Sequence, residues 1–186
     1  MRGTVQKLGT ADAVGIAEHF LRLDSDGLRY RFCGYTSETV IRRYVDAMNW
    51  RRQIIWGYVE NGKIRGLVEI GWEFWSAPRI AELGLSVEPG WQRKKIASCL
   101  LKRSLGSAYD TLISEIRADC LSDNRAAISL LSGAGFKFRF NGSLMSGHMI
   151  LDPHDQKHTD IDTRLRPNIL AQAQSGQSQQ DMAGAS

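Results

Sequence analysis

The chain has 186 residues, of which 42% are hydrophobic and 24% are charged, and its formal net charge is +4. No apolar run approaches the ~20 residues that a membrane-spanning helix needs, and the N-terminus lacks the pattern of a secretory signal, so we expect a cytoplasmic protein without a membrane partner. Its three cysteines are widely spaced and form no CxxC pair, which argues against a disulfide framework or a zinc site.

Two helices are predicted ahead of the first clear strands. Thr10 can cap the first helix and Thr36 or Ser37 the second, because hydroxyl side chains accept hydrogen bonds from the free amides of a first helical turn. Apolar residues recur at helical spacing along both segments. They are Val14, Ala17, Phe20 and Leu21 in the first, and Val40, Ile41, Tyr44, Val45 and Met48 in the second.

A β-hairpin and a third strand follow. The stretches "QIIWGYVE" (53–60) and "KIRGLVEIGWEF" (63–74) flank Asn61-Gly62, a pair that favours a two-residue turn between antiparallel strands. Alternation in the second strand predicts one buried face and one solvated, charged face. "RIAELGLSV" (79–87) alternates in the same way and predicts a third strand. Its apolar face would carry Ala81, Leu83, Leu85 and Val87.

The stretch "SVEPGWQRKKIASCLL" (86–101) leaves a strand, crosses Pro89-Gly90, and enters a helix through three consecutive cations. A helix N-terminus presents unpaired amides and a partial positive charge, so these cations fit an anion such as a phosphate. From the charge pattern alone, a solvated basic helix start without a ligand is the favoured alternative. Residues 1–150 carry 21 Lys and Arg against 15 Asp and Glu, which fits either nucleic acid or a phosphate-bearing cofactor.

The remaining elements predict one domain and a tail. A strand over 111–118 follows the helix after the basic turn, and a helix between two strands makes those strands parallel. A short helix opened by Ser122 or Asp123 ends near Gly133 and Gly135, and "FKFRF" and "SLMSGHMIL" form a closing antiparallel pair. We expect residues 1–151 to form the domain. Residues 152–186 are polar and low in complexity, and we expect them to be a disordered tail.

Two segments together resemble the GNAT superfamily of N-acetyltransferases. "ELGLSVEPGWQRKKIASCLL" (82–101) resembles the acetyl-CoA segment, in which a strand and a short loop lead to Gln/Arg-x-x-Gly-x-Gly/Ala at a helix start. "NRAAISLLSGAGF" (124–136) resembles the second segment, Asn-x-x-Ala-x-x-Leu-Tyr/Leu followed by Gly-Phe. The resemblance implies an α/β (α+β) fold with a mixed, mostly antiparallel central sheet flanked by helices. Two splayed parallel strands, here 79–87 and 111–118, would form the CoA cleft.

The resemblance also implies that acetyl-CoA is the co-substrate and that no metal takes part. In the family, loop amides bind the pyrophosphate and the pantetheine arm lies between the splayed strands. This sequence departs from the pattern at Lys95 and Arg93, where Gly is usual, and at Leu131, where many members carry the Tyr that protonates the departing thiolate. The residues carried over as cofactor-binding are Leu85 and Val87 through their backbone, Gln92, Arg93, Lys94, Lys95, Ile96, Ala97 and Asn124.

Glu82 is the candidate general base. An ammonium acceptor must lose a proton before it attacks, a carboxylate usually removes it, and the family often places its base on the strand before the cofactor loop. The neighbours of Glu82 on one strand face are Ile80, Gly84 and Ser86, which are apolar or small. We therefore expect burial to raise the pKa of Glu82.

Five residues are weaker candidates for the site. Glu69 and Glu73 fit a solvated strand face, and His148, as a lone strand histidine, is more simply structural. Trp72 could line an acceptor cleft, although packing in the core is favoured. Cys120, at the end of the strand over 111–118, is interpreted as a buried, inert thiol.

The resemblance implies an acetyl-CoA-dependent N-acetyltransferase that passes the acetyl group directly to a primary amine, without a covalent enzyme intermediate. The alternative is a catalytically degenerate CoA-binding or sensory module of the same fold, motivated by Lys95 and Leu131. A nucleic-acid partner is not expected, because the sequence carries no helix-turn-helix, zinc-finger or aromatic-interleaved basic pattern. The acceptor amine is left open, and a homodimer is compatible with this assignment.

Overall fold

Seven strands form one sheet in the computed structural model, which describes residues 3–72 and 79–151. The strand order across the sheet is β1-β2-β3-β4-β5-β7-β6. The strands are β1 (Thr4–Lys7), β2 (Gln53–Glu60), β3 (Lys63–Trp72), β4 (Arg79–Val87), β5 (Ile113–Leu121), β6 (Lys137–Asn141) and β7 (Leu144–Ile150). The α-helices of the described residues are α1 (Ala13–Leu21), α2 (Ser25–Phe32), α3 (Glu38–Asp46), α4 (Ile96–Tyr109) and α5 (Arg125–Gly133).

One pair of strands differs from the rest of the sheet. β4 and β5 are parallel, with α4 between them in the chain, and all other neighbouring pairs are antiparallel. Their pairing ends at Glu82 and Arg117, although β4 continues to Val87 and β5 to Leu121. Beyond that point β4 stays paired with β3, and β5 with β7, so the two strands diverge. The mixed sheet with one splayed parallel pair confirms the fold predicted from the sequence.

The predicted hairpin is present between β2 and β3. Asn61 and Gly62 have φ angles of 53° and 71°, the left-handed conformation that a tight two-residue turn requires, and Glu60 pairs with Lys63. The register shifts between Tyr58 and Val59, where Arg65 of β3 is the extra residue of a β-bulge. The turn pair therefore set the hairpin, whereas nothing in the sequence pattern indicated the bulge.

The N-terminal helices follow the prediction only in part. Thr10 does not cap α1, because residues Thr10–Asp12 form a short 3-10 helix and α1 begins at Ala13. Ser37 does cap α3, accepting from the Val40 amide at 3.4 Å. α2 was not predicted: Asp24 caps it by accepting from the Gly27 amide at 2.8 Å, but none of its residues is fully buried, and it contacts the core through the half-buried Leu28 and Phe32. β1, a short and mostly exposed edge strand, was missed for the same reason.

The two faces of the sheet carry different layers. One face packs against α4 and α5, through a core that includes Ile70, Ala81 and Leu101. The other face packs against α1 and α3, through a core that includes Ile55 and Leu67. β3 therefore buries both of its faces near the middle of the sheet, and its charged side chains there cannot all be solvated.

Three sequence-based expectations fall on residues outside the described part of the chain. They are the candidate role of Glu73, the last residues of the predicted strand over 63–74, and the disordered tail over 152–186. These expectations stay predictions.

Candidate active site

The divergence of β4 and β5 opens a cleft of about 800 Å³. Leu83 lines it from β4 and Ala118 lines it from β5, each immediately after the last paired residues. β4 has no ladder partner on its β5 side from Leu83 to Val87. A strand edge without a ladder presents backbone donors and acceptors, so an extended ligand with amide groups can bind between the strands.

The loop from β4 to α4 has an unusual backbone. A short 3-10 helix over Pro89–Trp91 leads into the basic stretch, where Arg93 and Lys95 have φ angles of 58° and 60°. A side chain in this left-handed conformation costs about 1–2 kcal/mol relative to the right-handed one, which is why glycine is favoured there. The loop therefore has the conformation that usually selects glycine, although Arg93 and Lys95 occupy the two positions where the motif usually has glycine.

The amides at the start of α4 are available to a ligand. Lys95 is the N-cap of the helix and makes no side-chain capping bond, and the first intrahelical donor onto its carbonyl is Cys99 at 3.0 Å. The amides of Ile96, Ala97 and Ser98 consequently have no acceptor within the helix. Together with the helix dipole they form a site suited to a phosphate group.

The side chains of the loop divide into two groups. Gln92 Nε2 donates to the Val87 carbonyl at 3.1 Å, and Lys94 Nζ donates to the Gly90 carbonyl at 2.7 Å, so both brace the loop itself. Arg93 and Lys95 are exposed and form no ion pair or hydrogen bond with any residue in the described ranges. These two cations are therefore free to approach an anion. The next two residues belong to the start of the helix, where Ile96 is buried and Ala97 is half-buried.

Other residues carried over as cofactor contacts have structural roles. Leu85 and Val87 are half-buried and pack against the cluster of Ile96 and Leu100, which joins the end of β4 to α4. Asn124 is the N-cap of α5, and its Oδ1 accepts from the Ala127 amide at 3.2 Å. The contact of Asn124 with a cofactor stays a prediction. Because Oδ1 caps the helix, the side-chain amide nitrogen is the group that would make this contact.

A buried ionic cluster lies directly under the loop, and sequence reasoning missed it. Glu88, only 3% exposed, accepts from Arg22 Nε at 2.9 Å, from Arg65 at 2.8 Å, and from His19 Nδ1 at 3.3 Å. His19 also bonds the Ser86 hydroxyl at 2.9 Å. His19 is fully buried in the core. No local pattern could reveal this cluster, because its members come from α1, β3 and the end of β4.

The cluster changes the protonation of two of its members. Burial would raise the pKa of Glu88, but the hydrogen bonds from His19, Arg65 and Arg22 together lower it to about 2. Burial lowers the pKa of His19 despite the neighbouring carboxylate. From these shifts it follows that the His19 imidazole is neutral, between Glu88 and Ser86. Glu88 is ionised, between Arg22 and Arg65.

Trp91 ties the same loop to the hairpin. Its indole nitrogen donates to Glu60 Oε2 at 2.7 Å, and the guanidinium of Arg65 lies over its ring at 4.0 Å. Arg65 thus contacts both Glu88 and Trp91, on the two sides of Pro89-Gly90. The loop that leads to α4 is held from below by charged hydrogen bonds and from the side by a cation–π contact.

Glu82 lies at the mouth of the cleft, where the parallel pairing ends. Its side chain is exposed, so the apolar and small environment expected from the sequence is wrong. Arg31 of α2 covers Gly84, the next residue on this strand face, whereas Glu82 lines both clefts. In the strand register, Arg117 of β5 lies opposite Glu82 of β4 on one side and opposite His148 of β7 on the other. His148 is half-buried and lines the same cleft.

The prediction of a solvated face for Glu69 is also wrong. Glu69 is 6% exposed and accepts hydrogen bonds from Arg31 of α2 and Tyr44 of α3. The helix α2, which the sequence did not reveal, supplies the arginine. The carboxylate and tyrosine raise the pKa of Arg31 against the effect of burial, and burial raises the pKa of Tyr44 to about 12.

These three residues line a second cleft of about 580 Å³ that shares Glu82 with the first. Trp72 lines it as well and packs against the main core, as was favoured from the sequence. Cys120 is buried as predicted, and burial raises the pKa of its thiol to about 11. Leu131 is buried in the core on α5 and offers no proton donor at the position where the motif carries either tyrosine or leucine.

The described residues contain no group of three or more His, Cys, Asp or Glu side chains with metal-binding geometry. Within those same ranges, none of the helices has the length and apolar character needed to cross a membrane.

Comparison with known proteins agrees with this architecture. Residues 22–136 match the model of the acetyltransferase (GNAT) family. Among solved structures, the GNAT domain of S. lividans PAT is 19% identical with a TM-score of 0.69, over 80% of this chain and 90% of that one. PaiA N-acetyltransferase from Thermoplasma acidophilum, in complex with coenzyme A, is 19% identical with a TM-score of 0.59, over 81% and 100%.

A third similar structure is spermidine N-acetyltransferase from Vibrio cholerae in complex with CoA and spermine. It is 22% identical with a TM-score of 0.61, over 80% of this chain and 95% of that one. At these identities the likeness concerns the fold. The sequence has no significant match among curated proteins.

Proposed function

Because the chain belongs to the GNAT family of acetyltransferases, we propose that it transfers the acetyl group of acetyl-CoA directly to a primary amine. One observation carries this proposal. The parallel strands β4 and β5 separate at Glu82 and Arg117, and the loop at the open end of β4 leads straight to the free amides of α4.

The described residues fit a cofactor with a pyrophosphate and an amide-bearing arm. The amides at the start of α4 would hold the phosphates, with Arg93 and Lys95 adding charge, because neither cation has a partner among the described residues. The unpaired edge of β4 at Leu85 and Val87 would hold the amide-bearing arm. Loss of the loop glycines does not prevent this, since the left-handed backbone is retained at Arg93 and Lys95.

Glu82 is proposed as the general base. Its exposed carboxylate lies where the strands part, so it can take a proton from an acceptor ammonium directly or through one water. The thioester supplies the acetyl group: the amine nitrogen bonds to the acetyl carbon, the carbon–sulfur bond breaks, and the thiolate leaves with the bonding electrons and is then protonated. The mouth of the cleft is open to solvent, and water is the proton source that fits the absence of a hydroxyl at Leu131.

A direct assay tests the proposal. The protein is mixed with acetyl-CoA and a panel of primary amines, thiol release is followed by absorbance, and the acetylated product is identified by mass spectrometry. Transfer to at least one amine, with thiol and product formed in equal amounts, is the expected result. Binding of CoA without transfer to any amine would contradict the enzyme function. A protein that does not bind CoA would contradict the cofactor site as well.

A further inference from the structure

Buried polar atoms without a partner are concentrated at the second cleft. In the part of the chain that the structure describes, such atoms occur on five residues, and Gln53 Oε1, Glu69 Oε2 and Arg31 Nε belong to residues that line this cleft. Buried polar groups in folded proteins nearly always have a hydrogen-bond partner. Two of these atoms are oxygens, which accept hydrogen bonds, so the cleft wall is suited to a ligand that donates them.

The sheet register sets the distance between these oxygens and the candidate base. Gln53 of β2 pairs with Gly71 of β3, and Gly71 pairs with Glu82 of β4, so the three residues form one row across the sheet. Neighbouring strands are about 4.8 Å apart, which separates the Cα atoms of Gln53 and Glu82 by about 10 Å. Gly71 has no side chain, so a short chain of atoms can cross this row beside the Gln53 side chain, whose Cγ and Nε2 would lie 3.5 Å and 3.7 Å from a Cβ at Gly71.

The next row explains why Glu69 keeps one oxygen free. Glu69 pairs with Gly84, and the guanidinium of Arg31 lies against Gly84 so closely that a Cβ there would be 2.7 Å from Arg31 Cζ. From this position Arg31, together with Tyr44, binds Glu69 Oε1. The carboxylate is thus fixed by one oxygen, and Oε2 has no partner among the described residues.

We propose that the acceptor lies across Gly71, with its reacting amine beside Glu82 and a second hydrogen-bond donor, an amino or hydroxyl group, bound by Gln53 Oε1 and Glu69 Oε2. This inference rests on the proposed function and specifies its substrate class. An acceptor that ends in a methyl group would leave both oxygens unpaired. One that ends in a carboxylate has no hydrogen to donate to either oxygen and would lie beside the Glu69 carboxylate, although Arg31, Arg52 and Arg117 also line this cleft. Both are disfavoured relative to a donor-bearing chain of equal length.

The test compares four linear amines of one length: pentylamine and its ω-amino, ω-hydroxy and ω-carboxy analogues. The ω-amino and ω-hydroxy compounds should have kcat/KM values about tenfold or more above those of the methyl- and carboxy-terminated ones, because a hydrogen bond that satisfies a buried group changes binding by that order. The acetyl-CoA KM should be the same with all four. If the kcat/KM of the methyl- or carboxy-terminated amine equals that of the ω-amino and ω-hydroxy compounds, the inference is wrong.

Gln53→Met connects the preference to the proposed oxygen. Methionine is close to glutamine in shape but lacks the carbonyl, so the advantage of the donor-bearing amines should fall several-fold. Because the substitution removes an unpartnered buried oxygen, the melting temperature should stay level or rise, which separates this effect from loss of fold. An unchanged preference in a folded variant would overturn the role of Gln53.

Gly71→Ala tests the floor of the cleft independently. An added Cβ would meet Gln53 Cγ at 3.5 Å, an ordinary contact, so the fold should accept it. The methyl group would occupy the path of the acceptor and should raise the acceptor KM about tenfold while leaving the affinity for CoA unchanged. An unaltered acceptor KM would contradict the path. Transfer to none of the four amines by a protein that binds CoA would overturn the substrate class and leave the cofactor site standing.

Discussion

Lys95 occupies a backbone conformation that usually selects glycine, and it lies at the N-cap of α4 beside the free amides. Its side chain is exposed and has no partner among the described residues. The strain of a left-handed lysine is of the order of 1–2 kcal/mol. A cation that contacts a phosphate would offset that strain in the bound state.

Lys95→Gly tests this account of the loop. Glycine relieves the strain, but the loss of the cation should weaken CoA binding by about 1.5–3 kcal/mol and make the affinity less dependent on salt. Calorimetric titration at two salt concentrations measures both effects. Lys95→Asn is the matched control, since asparagine also tolerates this conformation without carrying a charge, and it should weaken binding to the same extent. Tighter binding by either variant would mean that the lysine obstructs the site.

Glu82 gives a second prediction at the scale of one residue. Glu82→Gln keeps the shape of the side chain but removes the basic oxygen, so kcat should fall by about 10²–10⁴-fold while CoA affinity stays the same. Single-turnover rates over a range of pH measure the effect. Glu115→Gln is the control, because Glu115 lines the same cleft but is bound to Arg117 at 2.8 Å. Equal losses in both variants would assign the effect to the charge of the cleft instead of to a base.

Elements differ in how far the sequence determined them. The hairpin followed from Asn61-Gly62, and the splayed pair followed from the two motif segments, because both signals are local in the chain. α2 and the roles of Glu69 and Glu88 were not predictable in this way. Their partners, Arg31 and His19, are distant in sequence and meet these carboxylates only when the helices pack on the sheet. The burial expected for Glu82 was wrong for a related reason. Strand alternation predicts which face of the sheet a side chain lies on, but not which other elements cover that face.

The cluster that joins α1, β3 and the end of β4 predicts how stability depends on pH. The pKa of Glu88 is lowered from its usual 4.5 to about 2, so the folded state binds fewer protons than the unfolded state in this range. Its contribution is fully present above about pH 4.5 and is lost as the pH falls toward 2. The pKa of His19 is also lowered, so protonation of the unfolded chain removes further stability once the pH falls below 6.5.

Urea unfolding between pH 8 and pH 3 measures this dependence. The free energy of unfolding should decrease steadily on acidification. Glu88→Gln should lower it by about 1–3 kcal/mol at neutral pH, because Arg22 and Arg65 lose a charged acceptor, and should flatten the part of the curve below about pH 4.5. The control is Glu115→Gln, whose carboxylate forms an exposed ion pair that contributes little. A variant with the same pH dependence as the natural protein would show that Glu88 does not carry it.

The first 150 residues hold most of the Lys and Arg of the chain, and with them the cations that would bind the cofactor. We propose that residues 1–151 are sufficient for folding and for cofactor binding. A protein that ends at Leu151 should unfold cooperatively, with a melting temperature within a few degrees of the full chain, because the polar composition of 152–186 offers little apolar surface to bury. Calorimetry of both forms checks this, and loss of cooperative unfolding in the shorter form would contradict it.

The cofactor site predicts a response of the entire fold to its ligand. CoA would contact the end of β4, the start of α4 and the cleft against β5, so it would join elements on both sides of the divergence. A ligand that binds only the folded state raises its stability by mass action, by about 2.7 kcal/mol at one hundred times the dissociation constant. We expect the melting temperature to rise with CoA concentration and to rise less at high salt, because phosphate contacts with Arg93 and Lys95 are screened. Dephospho-CoA and pantetheine are matched ligands for the measurement: an effect that is kept with dephospho-CoA and lost with pantetheine assigns it to the ADP part of the ligand, which carries the pyrophosphate. No rise at millimolar CoA would contradict the cofactor site itself.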